Sequence, residues 1–154
     1  MPDEPQDSHD SVGAWAKKYY LTSRSLLEST LREFDLGPTQ FYVLYQLAHH
    51  GPTMQRDLGQ ILNIERATLS GIVATLVRKG LVTQEADSVD QRQRILRITE
   101  AGQALWNTLP DPFALAQSVA FDGTDEAELA VARRVLQDAT RRLNEHMAGD
   151  AKSL

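Results

Sequence analysis

Residues 56–82 read RDLGQILNIERATLSGIVATLVRKGLV, and the punctuation of this stretch decides the fold. A short helix is expected from Thr53, whose hydroxyl is of the type that caps a helix, to Leu62. Asn63 then tolerates the left-handed backbone that a tight helix–helix turn needs. In the next segment Leu69, Ile72, Val73, Leu76 and Val77 form one apolar stripe at helical spacing, and Arg66, Thr68, Ser70, Gly71 and Thr75 lie largely off it. Lys79-Gly80 ends this helix, with a cation in its last turn and a glycine just past it.

A short strand, a turn and a second short strand come next: LVTQE, ADSVDQ and RILRI. Alternation turns Leu96 and Ile98 one way, and Ile95 and Arg97 the other. Two helices joined by a tight turn, the second with a small polar face, make the helix-turn-helix unit that lays its second helix in a major groove. A hairpin directly after it is a wing.

Working outward, residues 1–10 hold two prolines and four acids and are expected to be a disordered acidic tail. From Val12 the apolar positions Trp15, Tyr19, Leu26, Leu27, Leu31 and Phe34 recur at near-helical spacing, which predicts one long amphipathic helix to about Glu33. DLGPTQFYVLYQLAHHG is a break and a second helix: Gly37 ends one element, Pro38 is pre-set for a first turn, and Gly51-Pro52 stops the second helix. Thr99 opens a helix through Trp106 that LPDP, with Pro110 and Pro112, interrupts. The last helix is expected to start at a Thr124 cap, with acids in its first turn and four arginines later, an order that suits the helix dipole. The fold class is therefore mainly α with a small β-hairpin wing. A winged helix-turn-helix domain over 37–99 is flanked by a helical dimerisation region, 11–36 and 100–147, and residues 148–154 form a flexible tail.

Composition narrows the partners. At 154 residues and 42% apolar, the chain suits one domain with a real core, or one compact module with dimerisation arms. No apolar run is long enough for a membrane span, and the acidic start does not resemble a signal peptide, so a cytoplasmic protein is expected. The absence of cysteine removes disulfides, thiolate sensing and cysteine-based zinc sites. Net charge is −5, yet residues 54–100 carry seven basic and six acidic side chains, leaving the acidity to the flanks. Such a chain reads nucleic acid only if its arginines gather on one surface.

The order of elements, RDLGQILNIERATLSGIVATLVRKGLV followed by DQRQRILRITEAG and then TDEAEL, resembles the MarR family of winged helix-turn-helix regulators over roughly residues 12–147. Its most specific part is the spacing from Gly80-Leu81-Val82 to Asp90-x-Arg92 to Thr99-x-x-Gly102. The resemblance implies a homodimer that binds double-stranded DNA at a pseudo-palindrome, most often as a repressor. It implies that Arg92 enters a minor groove and that Asp90 braces a nearby arginine, which fits the negative potential of a narrow groove. Arg66, Thr68, Ser70 and Thr75 are the candidate groove-facing residues, Gln55 and Arg56 are placed to reach phosphate, and Arg94 and Arg97 flank the wing. This chain departs from the family at Gly71, where an arginine is frequent, and at Glu65, where a serine cap is frequent.

Amphipathic terminal helices offer Val12, Leu129, Val135, Leu136, Leu143 and Met147 as a dimer seam or as internal core. The family also implies release of DNA by a small aromatic anion in a crevice near the first two helices. Trp15, Lys17, Lys18, Tyr19, Arg24, Tyr42 and Tyr45 supply aromatic walls and cations of that kind, or else ordinary core and a solvated face. His49 and His50 point about 100° apart on a helix, so a shared metal is not expected and no cofactor is assigned. No phosphate loop, HExxH or G-x-S-x-G motif is present, which argues against an enzyme. Two alternatives stay open at this point: a winged helix used for protein contact, and a metal-sensing regulator of the same fold.

Overall fold

The computed structural model describes residues 8–151, and the chain divides into two compact units, one running to Ala116 and one from Gln117. The expected acidic tail lies outside the described residues except at Ser8–Asp10, a single 3-10 turn.

In the first unit, α1 (Val12–Leu31) starts at Ser11, whose side chain accepts from the Ala14 amide. Its apolar stripe has two fates. Leu27 and Leu31 are buried in the core, whereas Val12, Trp15 and Tyr19 are exposed in the single chain. A 3-10 turn and Asp35, in left-handed backbone, lead to α2 (Pro38–His50), with Pro38 in the first turn as expected. Phe41, Val43, Leu44 and Leu47 of α2 are fully buried and form the centre of the core.

The sequence expectation fails at Thr53, which does not cap a helix. Gly51, at φ 76°, turns the chain so that Thr53–Met54 form β1, paired antiparallel with Leu96 and Ile95. The Thr53 hydroxyl donates back to the Gly51 carbonyl at 3.0 Å. A β-branched residue beside an open strand edge gains ladder hydrogen bonds that a capping position cannot offer. The wing is consequently part of a three-stranded sheet in the order β1-β3-β2, with β2 (Val82–Ala86) and β3 (Arg94–Ile98).

Between β1 and the hairpin lie α3 (Gln55–Leu62) and α4 (Arg66–Arg78), joined through Asn63 in left-handed backbone at φ 53°. Leu58, Leu69, Val73 and Leu76 anchor this pair in the core, Ile72 is half-buried, and Val77 is exposed. Lys79, at the end of α4, reaches back to the α1–α2 junction, donating to the Asp35 carbonyl and to Gln40 Oε1. The helix-turn-helix is thereby tied to the end of the first helix.

Helix α5 (Glu100–Thr108) explains the long-range spacing from Gly80 to Gly102. Its cap Thr99 accepts from the Gly102 amide at 3.0 Å and donates to the Gly80 carbonyl at 2.6 Å, and its own amide donates to Leu81 O at 3.0 Å. Gly102 is buried against that carbonyl, so Gly80, Leu81, Thr99 and Gly102 form one clasp between the end of α4 and the start of α5. Pro112 then begins α6 (Pro112–Ala120) in the N-terminal position where proline is tolerated.

In the second unit, α7 (Glu126–Ala151) is capped by Asp125, whose Oδ1 accepts from the Ala127 amide at 3.2 Å, and not by Thr124. Aspartate fills this place because its carboxylate adds charge at the positive helix end. The helix continues through residues 148–151, so these are helical and not a loose tail. Its arginines lie mid-helix, away from the final turn, and three of the four pair with acids: Arg133 with Glu126, Arg134 with Asp138, and Arg141 with Asp138 and Glu145. Exposed pairs of this kind contribute little. No described residue of α7 is buried, and Leu143 and Met147 remain 64% and 59% exposed.

Candidate nucleic-acid interface

Strand register decides which side chains of the hairpin meet the helices. Val82, Gln84 and Ala86 oppose Ile98, Leu96 and Arg94, and directly opposed residues share a sheet face. On that face Val82 and Leu96 enter the core, and Gln84 and Arg94 continue it toward the wing tip. The opposite face carries Arg97, held 3.7 Å from Glu85. Arg97 thus points away from the helices, on the outer face of the wing and outside the concavity that the helices form with the hairpin.

A cleft of about 920 Å³ opens between α3, the turn, α4 and the hairpin. Gln55, Arg56, Arg66, Ser70, Arg92 and Arg94 all line it, so six of the nine residues expected to meet DNA converge on one concavity. Among the described residues its only carboxylate is Glu65, which occupies the cap position of α4 without a side-chain capping bond. Arg66 and Arg94 form no ion pair among the described residues, Arg56 lies 3.7 Å from exposed Asp57, and Arg92 lies 3.6 Å from Asp90. Four arginines therefore line one cleft in a chain whose net charge is negative.

The wing tip is held by carboxylates. Asp90 Oδ1 accepts from the Arg92 amide at 3.1 Å, and Asp87 Oδ2 accepts from the Asp90 amide at 3.0 Å. The arginine that Asp90 faces is Arg92 itself, whose side chain is 94% exposed. Asp90 shapes the turn from outside the cleft. Thr68 is exposed on α4 beyond the cleft wall, and half-buried Thr75 donates to the Gly71 carbonyl at 3.1 Å, so its hydroxyl serves its own helix.

Three polar cleft residues escape the sequence reading: Gln60, Gln84 and Gln93. Strand alternation carried the signal for Gln84, since it lies two residues from buried Val82. A Cβ added at Gly71 would meet nothing within 4 Å, so the open side of α4 accepts a side chain there. Gly71→Ala should therefore raise stability by about 1 kcal/mol through helix propensity alone, seen as a rise of roughly 2–4 °C in thermal melting.

The residues expected to hold an effector fall into three groups. Trp15 Nε1 donates to Asp10 Oδ1 at 2.8 Å and Lys18 Nζ lies 4.5 Å from its ring centroid, which places them, with exposed Lys17 and Tyr19, at the free end of α1. Arg24 and Tyr42 interact farther along, beside Tyr20. Burial, reinforced by Tyr20 and opposed by Arg24, pushes the Tyr42 phenol above its usual value, so it remains a neutral hydrogen-bond donor. Tyr45 joins a ring cluster, 4.4 Å from His49 and 5.8 Å from Trp106 and from Phe113. Trp15 and Arg24 are nine residues apart on a helix that rises about 1.5 Å per residue, so the first group stands apart, whereas Tyr42 and Tyr45 both lie against Phe113, at 6.0 and 5.8 Å.

Comparison with known proteins agrees with this geometry. The MarR family model matches residues 34–93. The HTH-type transcriptional repressor NicR of Pseudomonas putida is 30% identical over 109 residues, 71% of this chain and 69% of that protein. The solved structure of Bordetella bronchiseptica BpsR, whose DNA binding is regulated by 6-hydroxynicotinic acid, superposes with a TM-score of 0.78 at 23% identity, covering 89% of this chain and 98% of that one. PcaV, a transcriptional regulator from Streptomyces coelicolor solved with its natural ligand, gives a TM-score of 0.74 at 25% identity over 92% of this chain and 97% of that one. With the helix-turn-helix, the wing and the arginine-lined cleft in place, this chain belongs to the MarR family of winged helix-turn-helix transcriptional regulators, which bind DNA and are not enzymes.

Proposed function

We propose that the protein is a cytoplasmic homodimeric repressor that binds a pseudo-palindromic operator and is released by a small aromatic anion. The observation that carries the DNA reading is the convergence of Arg56, Arg66, Arg92 and Arg94 on one cleft between the recognition helix α4 and the wing. In this reading α4 enters the major groove with Arg66, Thr68 and Ser70, and Gln55, Arg56 and Arg94 meet the backbone between helix and wing. Arg92, at the tip, enters the adjoining minor groove.

Dimerisation is supported by apolar surface that the chain leaves uncovered. Leu136 and Leu143 stand exposed seven residues apart on α7, with half-buried Leu129 seven residues before them and exposed Val135 and Met147 beside them, and Val12 lies exposed on α1. A two-fold pair covers such stripes and presents two reading heads to a palindrome.

The effector reading draws on Arg24 and Tyr42, a cation beside a phenol that stays protonated, next to the aromatic walls of α2 and α5. A carboxylate accepts from both and a ring stacks on the walls. That a similar regulator, BpsR, responds to 6-hydroxynicotinic acid supports an aromatic acid as the class. The test is a titration of an intergenic palindrome from the protein's own gene neighbourhood, at several salt concentrations, with and without a panel of hydroxylated aromatic acids. Affinity should fall steeply with salt in proportion to the phosphates neutralised, and one acid should both release DNA and raise the melting temperature with its concentration. Salt-insensitive binding, or a panel without effect on either readout, would refute the corresponding half of the proposal.

A further inference from the structure

Two hydrogen bonds inside the cleft connect the wing to the recognition helix. Gln84 Nε2, on β2, donates to Gln55 Oε1 at 2.6 Å, and Gln55 Nε2 donates to Ser70 Oγ on α4 at 3.3 Å. All three side chains line the cleft. A carboxamide has a donor end and an acceptor end, so fixing one end fixes the other. With Gln84 donating to the oxygen of Gln55, the amino group of Gln55 must face Ser70. A serine hydroxyl has one proton and two lone pairs, and here a lone pair is occupied. Among the described residues the Ser70 hydroxyl donates to nothing, unlike Thr75, which bonds the carbonyl four residues back in the same helix. The proton of exposed Ser70 is therefore available to a ligand in the cleft.

We infer that Gln84 is a positioning residue for DNA sequence specificity: through Gln55 it sets Ser70 as a hydrogen-bond donor, so that Ser70 selects a base edge presenting an acceptor. The acceptors available in a major groove are guanine N7 and O6, adenine N7 and thymine O4, and the base disfavoured is cytosine, whose exposed group is the N4 amine. Gln84 itself contacts no base in this scheme. The inference rests on the reading of Ser70 as a base reader and adds what Ser70 can recognise and which wing residue decides it.

Substitution of Gln84 separates this from a structural role. In Gln84→Glu the carboxylate can only accept. Gln55 then turns its amino group toward the new carboxylate and its oxygen toward Ser70, the Ser70 proton is spent on that oxygen, and only lone pairs face the DNA. The preference at one base position should invert, from acceptor-presenting bases toward the cytosine amine. In Gln84→Leu the relay is released and the preference should flatten.

The experiment is selection from a randomised operator library by the full-length wild type, Ser70→Ala, Gln84→Leu and Gln84→Glu, with thermal melting to confirm equal folding. Ser70→Ala identifies the position, as the one whose roughly tenfold preference is lost. Flattening by Gln84→Leu and inversion by Gln84→Glu at that same position support the relay. If Ser70→Ala flattens a position and both Gln84 variants keep the wild-type preference there, the relay is wrong and base reading by Ser70 stands. If Ser70→Ala flattens none, base reading by Ser70 falls and the relay with it. If the wild type enriches no sequence, the proposed function itself is overturned.

Discussion

Arg92→Ala should weaken operator binding at least about tenfold and leave the fold intact. An arginine seated in a groove contributes about 1–3 kcal/mol, and a dimer loses two of them, one from each wing. The loss comes without a stability cost because the side chain is 94% exposed and its ion-pair partner among the described residues is Asp90, at 3.6 Å. A surface pair of that kind contributes about 0–1 kcal/mol. A second measurement identifies the groove. A narrow minor groove over A·T pairs concentrates negative potential, so replacing those flanking pairs by G·C should weaken the wild type and have little effect on Arg92→Ala. Equal sensitivity of both proteins to the flank, or unchanged affinity of the variant at moderate salt, would remove the wing tip from the interface.

Gly102→Ala tests the clasp and should be strongly destabilising. A Cβ at this position meets the Leu81 carbonyl oxygen at 2.2 Å and Ile98 Cγ1 at 2.8 Å. The first obstacle is backbone, so no rotamer change relieves it. Relief requires moving α5 away from the start of β2, which breaks the Thr99 bonds to Gly80 O and Leu81 O. A cost of about 3 kcal/mol is expected for such overpacking, a fall of roughly 6–12 °C in melting temperature. The sign is informative, because helix propensity alone favours alanine over glycine by about 1 kcal/mol. Gly71→Ala and Gly102→Ala are the same substitution inside a helix and should move stability in opposite directions. Two increases would show that α5 does not press on Leu81.

The turn between the reading helices was legible because it depends on local backbone. Asn63 adopts the left-handed conformation that its side chain tolerates, and Gly80 does the same after α4, at φ 75°. The stripe of Leu69, Val73 and Leu76 was legible because a helix period is a property of adjacent residues. Thr53 escapes such a reading for the converse reason. A strand of two residues carries no periodicity, and its partner lies more than forty positions away at Leu96. The cap of α7 falls one residue later than expected, at Asp125, because threonine and aspartate are both capable caps and only the entry geometry chooses between them. For the effector residues, a shared chemical character did not imply a shared place: Trp15 and Arg24 lie nine residues apart on α1, and Tyr45 joins a ring cluster with Trp106.

By itself, the sequence determined the order of elements and the helix-turn-helix with its wing, since periodicity, caps and turn residues act over a few positions. Tertiary structure alone decided that Arg94 shares a cleft with Arg66 whereas Arg97 turns outward to Glu85. It alone decided that a Cβ at Gly102 would meet the Leu81 carbonyl where one at Gly71 meets nothing, and that Gln84 reaches Ser70 through Gln55. Each of these depends on strand register or on close approach between segments distant in the chain. Local propensity carries no information about either, because both are fixed only when the core closes around Leu44, Leu76 and Leu96.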